Sequence, residues 1–295
     1  GLFRAPGLPF WAAGRTVKRI VKRVFDANSP VGVLDSGIGG FSVARAVQQL
    51  LPAEQLIYFG DGAHIPYGNH PEDKIVAMAR YMFSFLEQKQ VKALVACNTI
   101  SCVIDRCADA VSCPTFNAVQ AGANAVSRLD VEKVGVISTV FTHNSRCYPQ
   151  RILAQSPKKL VVLSCGCPDL ARLVEHNLGD PGGMAAVEAD LHQELDHMVY
   201  DDHIQCCVLG CTHYPLVSDT MEKLYPGLPL IDPAQQMAQE LRAYLTRSDL
   251  LRNAGLPGRL DVFTTGDVDE YALRARQVGL DPVNSVSYYP PMSLD

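Results

Sequence analysis

From Val31 onward the chain alternates short, nearly unbroken apolar runs with longer stretches in which apolar residues recur every three or four positions. Val31-Gly32-Val33-Leu34, Leu56-Ile57-Tyr58-Phe59 and Leu94-Val95-Ala96 read as strands buried on both faces, because a strand with one wet face would alternate apolar with polar residues. Between them Val43, Ala46, Val47, Leu50 and Leu51, and then Ile75, Met78, Ala79, Met82 and Leu86, fall at helical spacing. The resulting β-α-β-α-β order predicts a mainly parallel sheet covered by helices on both faces.

The pattern then repeats. Val134-Gly135-Val136-Ile137, Leu160-Val161-Val162-Leu163 and Cys207-Val208-Leu209 are the strands of a second unit, with a helix through Val187, Leu191, Leu195 and Met198. The remaining helix around Met237, Leu241 and Leu245 and the strand Leu260-Asp261-Val262-Phe263 are too short for a third unit and are expected to return to the first. The fold class expected is α/β, with two pseudo-symmetric doubly wound domains, mainly parallel sheets, and an active site in the cleft between them. The first domain would take residues 31–120 plus 235–295, the second 121–234, after an N-terminal extension over 1–30.

Within this repeat, one phrase occurs twice: Leu94-Val95-Ala96-Cys97-Asn98-Thr99 and Val208-Leu209-Gly210-Cys211-Thr212-His213. Each runs an apolar strand into a cysteine at the carboxyl end, where sheets of this type bind ligands. Two thiols facing one pocket suit a reaction in which one group removes a proton and the other returns one to the opposite face. A thiol at the start of a helix is expected to have its pKa lowered from about 8.5 toward neutrality. His213 is close enough in sequence to assist Cys211, and Asp35 takes the corresponding place for Cys97 if the half-sites are equivalent.

Two loops surround these thiols. Asp35-Ser36-Gly37-Ile38-Gly39-Gly40 follows the first strand, and its free N–H groups at a helix start can cradle an anion or form a plain tight turn. It spells neither a dinucleotide fingerprint nor a phosphate loop. In Gly60–Asn69, Pro66 and Gly68 pin the backbone and leave the Tyr67 hydroxyl available to a polar ligand. His64, in the same loop, is read as solvated and outside the site.

Composition narrows the function. A net charge of −5 gives no footprint for nucleic acid, and no apolar stretch is long enough to cross a bilayer. Ten cysteines in 295 residues are too sparse for a disulfide-stapled domain, and a reducing cytoplasm is the expected setting. Neither Cys97, Cys102, Cys107 and Cys113 nor Cys165-Gly166-Cys167 and Cys206-Cys207 has the spacing of paired metal knuckles, so no metal is expected and most cysteines read as small buried hydrophobes. The first 25 residues are basic, without an acid before Asp26. They read as a targeting remnant, a surface-binding arm, or a loosely held or added extension.

Taken in order, Asp-Ser-Gly-Ile-Gly-Gly at 35–40, Pro-Tyr-Gly at 66–68, Ala-Cys-Asn-Thr at 96–99, Gly-Cys-Thr-His-Tyr-Pro at 210–215 and Thr-Thr-Gly-Asp at 264–267 resemble the glutamate racemase family, within the cofactor-independent aspartate/glutamate racemase superfamily. The resemblance implies two pseudo-symmetric α/β domains and interconversion of L- and D-glutamate without a cofactor, with D-glutamate destined for peptidoglycan. It implies Cys97 and Cys211 as the acid/base pair, Asp35 and His213 as their assistants, and Ser36, Pro66, Tyr67, Gly68, Asn98, Thr99 and Thr212 as the residues that hold the amino acid. The wording departs from the family's at Asp61–His64 and Phe116–Gln120, away from both thiols. An enzyme acting on aspartate or another acidic or cyclic amino acid, a non-catalytic binding protein and a redox sensor are the rival readings. Oligomeric state is left open, a homodimer being common for two-domain enzymes of this kind.

Overall fold

The computed structural model describes residues 25–294, so the basic segment and most of the 1–30 extension lie outside the described residues. The apolar runs become β1 (Val31–Asp35), β2 (Gln55–Gly60), β3 (Ala93–Ala96), β4 (Thr115–Asn117), β5 (Lys133–Ser138), β6 (Val161–Gly166), β7 (Cys206–Gly210), β8 (Leu230–Ile231), β9 (Arg259–Thr264) and β10 (Ser285–Tyr288). They form two sheets, ordered β10-β9-β2-β1-β3-β4 and β6-β5-β7-β8, in which every described pairing is parallel. The order β2-β1-β3-β4 matches β6-β5-β7-β8 strand for strand. The duplication heard in the sequence is thus a duplication of topology, and the tail extends the first sheet by adding β9 to β2 and β10 to β9.

Burial explains the apolar character of the central strands, since β1, β3 and β7 are buried at every residue. One face of the first sheet packs on the helices Phe41–Leu50, Pro233–Arg247 and Val268–Val278 through Val43, Val47, Met237, Leu241, Tyr271 and Ala275. The other face is covered by Glu72–Gln88, whose Ile75, Met78, Ala79, Met82 and Leu86 are the periodic residues of the sequence. Glu72 and Asp73 in the first turn of that helix complement its dipole. In the second sheet Val187, Leu191 and Leu195 pack on one face, and Val119, Val126, Tyr148 and Ile152 on the other.

The helix Ala118–Ser127 stands between the halves, with Ala118 and Ala121 in the core of the first and Val119, Ala123 and Val126 in that of the second. Asn117 caps it by accepting from the Gln120 N–H at 2.7 Å. Three details differ from the sequence reading. β6 begins at Val161 and runs on to Gly166, which brings Cys165 into the strand. Met198 is buried beyond the end of its helix, in a single π-helical turn over His197–Asp201. Cys102 and Cys147 are joined as a disulfide, whereas the other eight cysteines are free. No helix among the described residues is long and apolar enough to cross a membrane.

Candidate active site

Because all strands are parallel, each sheet presents its carboxyl ends on one side, and the two sheets turn those ends toward a shared cavity of about 710 Å³. Cys97 is the first residue after β3 and Cys211 the first after β7. Both thiols line the cavity and are almost wholly buried. Cys97 caps the short helix Asn98–Ser101, and Ser101 locks that turn by donating to the Cys97 carbonyl at 2.6 Å. The loop after β2 is held by a buried hub: Asp61 accepts from Tyr67 at 2.6 Å and from Thr265 at 2.6 Å. This hub explains the Thr-Thr-Gly-Asp phrase, in which Thr265 buttresses the loop while Asp267 caps the next helix.

The two thiols stand in opposite electrostatic surroundings. Burial and the adjoining Asp35 carboxylate push the Cys97 thiol well up, against the backbone N–H groups of Ile100 and Ser36 aimed at its sulfur. Asp35 is itself pushed up by burial, although His213, the Gly37 N–H at 2.7 Å and the Thr212 hydroxyl at 3.2 Å favour its charge. In the other half, His213 Nδ1 lies 3.6 Å from Cys211 Sγ, and its Nε2 lies 2.8 Å from Glu175 Oε2. Burial works against an imidazolium there, but the bonds to Cys211 and Glu175 outweigh it and push His213 up to about 10. Burial would raise Glu175 too, and the His213 bond brings it below its ordinary value.

Three expectations need correction. Helix position does not lower the Cys97 pKa, since desolvation dominates over one short turn. The glycines at 39 and 40 fit the tight-turn reading of their loop: a Cβ on Gly39 would collide with Thr212 Oγ1, and one on Gly40 would meet Asp35 Cβ at 2.5 Å. They let the helix start press against the residues that flank both thiols. The Tyr67 hydroxyl is not free to donate to a ligand, because its proton goes to Asp61. His64 is not solvated; its Nδ1 sits 2.8 Å from Asp61 Oδ2, and it does not line the cavity.

The family model for Asp/Glu/Hydantoin racemases matches residues 33–241. A glutamate racemase of Thermoanaerobacter pseudethanolicus is 33% identical over 87% of this chain and 96% of its own. Among solved structures, glutamate racemase from Francisella tularensis in complex with D-glutamate gives a TM-score of 0.80 at 31% identity, covering 91% of this chain and 99% of that one. A glutamate racemase isoform from Bacillus anthracis gives a TM-score of 0.80 at 33% identity, over 91% of this chain and 98% of that one. The chain belongs to the Asp/Glu/Hydantoin racemase family. It is an enzyme, an isomerase.

In the racemase, all of the residues singled out in the sequence reach one place. Asp35, Ser36, Pro66, Tyr67 and Gly68 line the cavity from the first half together with Cys97, Asn98 and Thr99. Cys211, Thr212 and His213 line it from the second. Sequence reasoning missed Glu175, on the helix Leu170–His176, and the cavity-lining Thr139, Phe141 and Cys167. Thr139 was within reach, because it ends the strand phrase that mirrors Val31–Ser36. Nothing in the sequence couples Glu175 to a histidine 38 positions away.

Proposed function

We propose that the racemase interconverts L- and D-glutamate without a cofactor, by a two-base mechanism with Cys97 and Cys211 as the proton carriers, and supplies D-glutamate for peptidoglycan. The observation that carries this reading is the delivery of two buried sulfurs to one cavity by equivalent strands of two opposed sheets. A thiolate on one side removes the α-proton and becomes a thiol. The thiol on the other side gives its proton to the opposite face of the planar carbanion and becomes a thiolate. One proton leaves and one arrives, and each cysteine exchanges roles with direction.

The supporting electrostatics are complementary. His213, pushed up to about 10, places an imidazolium 3.6 Å from the sulfur of Cys211, while burial and Asp35 hold Cys97 as the thiol, the form that donates a proton. The barrier lies in the weak acidity of the α-C–H. Preorganised donors around the developing charge are the remedy, each worth about 2.7 to 4 kcal/mol. Ser36 and Thr99 supply hydroxyls at the cavity wall, and Thr212 supplies a third that it otherwise gives to Asp35.

The test is deuterium uptake at Cα in heavy water, followed over glutamate, aspartate and alanine, with loss of circular dichroism as the second readout. Glutamate is expected to exchange and racemise, fastest of the three, after exhaustive dialysis and hydroxylamine treatment to remove any carbonyl cofactor. Exchange with aspartate alone would overturn the substrate, and activity lost on hydroxylamine treatment would overturn cofactor independence. For the cellular role, the gene should restore growth to a bacterium that depends on added D-glutamate.

A further inference from the structure

β6 ends in Cys165-Gly166 and Cys167 follows it directly, two residues from Cys165, the spacing that along extended chain projects side chains to one face. Gly166, between them, passes His143, whose Cβ would lie 3.0 Å from a Cβ placed there. The helix Met184–Asp196 packs on the Cys165 side and brings Glu194, which is almost wholly buried, so that Cys165 Sγ lies 3.1 Å from Glu194 Oε2. One ligand atom from each of Cys165, Cys167 and Glu194 lies within 4.8 Å of the others. None of this belongs to the proton-transfer pair, although Cys167 also forms part of the cavity wall.

We propose that Cys165, Cys167 and Glu194 form a site for a thiophilic divalent cation, with Zn²⁺ as the fitting occupant. Two sulfurs and one carboxylate are donors that Zn²⁺ accepts and would fill three of its four tetrahedral positions, whereas Mg²⁺ and Ca²⁺ take oxygen alone. The surroundings supply further polar atoms. The Tyr214 hydroxyl, on a residue with no exposed surface, bonds to the Cys167 sulfur, and Asp190 Oδ2, one helical turn before Glu194, is buried without a partner among the described residues. A water or a further donor would complete the four positions of a tetrahedral ion. Binding would exchange the protons of two thiols for one cation and tie the end of β6 to the helix that covers it. The sequence hid this site because Glu194 is far along the chain from the cysteine pair and no second knuckle exists.

The experiment is titration of the whole, fully reduced protein with Co²⁺, read by the thiolate-to-cobalt charge-transfer band, followed by displacement with Zn²⁺. The parent and the Cys97→Ser/Cys211→Ser double variant should both develop the band, which separates this cluster from the thiols of the cavity. Cys165→Ala and Glu194→Gln should weaken binding by more than the roughly tenfold to hundredfold lost when only an outer partner is disturbed. Zn²⁺ should raise the melting temperature of the parent and not of these variants, all of which should melt alike in chelator. Absence of the band in the parent overturns the proposal, as does a band that keeps its parental affinity in Cys165→Ala or disappears with Cys97 and Cys211. A parent in which Cys165 and Cys167 form a disulfide under reducing conditions also overturns it. Glu194→Gln preserves the volume of the side chain and decides the matter if Cys165→Ala does not fold.

Discussion

In the first half of the cleft the thiol of Cys97 lies beside a carboxylate, and in the second the thiol of Cys211 lies beside an imidazole. The backbones that carry them are equivalent. β1 ends in Asp35, in register with Gly60, and β5 ends in Ser138, in register with Gly166 and Gly210. Two positions past each thiol, the first half has Thr99 and the second has His213. Duplication therefore explains where the sulfurs are, and two single-residue differences explain why their surroundings are unlike. The proposed two-base reaction needs one sulfur protonated and the other not, and the Asp35 side gives a reason for Cys97 to be the protonated one.

The widest break in the comparison comes from the sulfurs. Cys97→Ser and Cys211→Ser should each lower kcat by on the order of 10²- to 10⁴-fold in both directions, the usual worth of a positioned acid or base. Circular dichroism of glutamate measures the rate, and far-ultraviolet spectra should show the fold retained. A variant that kept parental turnover from one enantiomer would show that its sulfur is not shared by the two directions.

Smaller changes separate the two half-sites. Asp35→Asn removes an anion that raises the Cys97 pKa, so Cys97 should alkylate at lower pH, with about tenfold more thiolate for every 1.36 kcal/mol of repulsion relieved. Glu175→Gln acts in the other half. His213 is raised to about 10, so its proton is kept until the pH rises through that value; its contribution to stability is complete below the unfolded value near 6.5 and is lost as pH approaches 10. With the carboxylate gone, His213 should titrate at a pH lower by roughly one or more, and the alkaline limb of the rate profile should move down with it. NMR titration of the His213 ring checks the change. An unmoved limb would detach His213 from the alkaline limb.

The parallel sheets, the repeat and the thiols were legible because burial on both faces writes strands as apolar runs, and because each cysteine phrase is continuous in the chain. Edge elements were not: β4 is Thr-Phe-Asn and β8 is Leu-Ile, too short to show a period. The pKa direction of Cys97 was misjudged because sequence displays the helix start and not the desolvation around it. Tyr67 and His64 were misread for a related reason. Their partner Asp61 lies nearby in sequence, but only the closure of the 60–69 loop against Thr265 makes it a buried hub.

The smallest expected effect concerns a bond that crosses between the halves. The Tyr148 hydroxyl, on the helix Cys147–Gln155, donates to Asn98 Oδ1, next to Cys97. Tyr148→Phe removes the donor without opening a cavity, so the loss of stability should be close to that of one neutral hydrogen bond, about 0.5 to 1.5 kcal/mol. Asn98 borders the cavity, where water can take the place of the missing donor, which favours the lower end. If Asn98 holds the amino acid in the ground state and the transition state alike, KM should rise with kcat nearly unchanged. A fall in kcat at constant KM would instead assign Asn98 to the transition state. The hydrogen bond across the cleft would then be a means of aligning the Cys97 half with the Cys211 half at the moment of proton transfer.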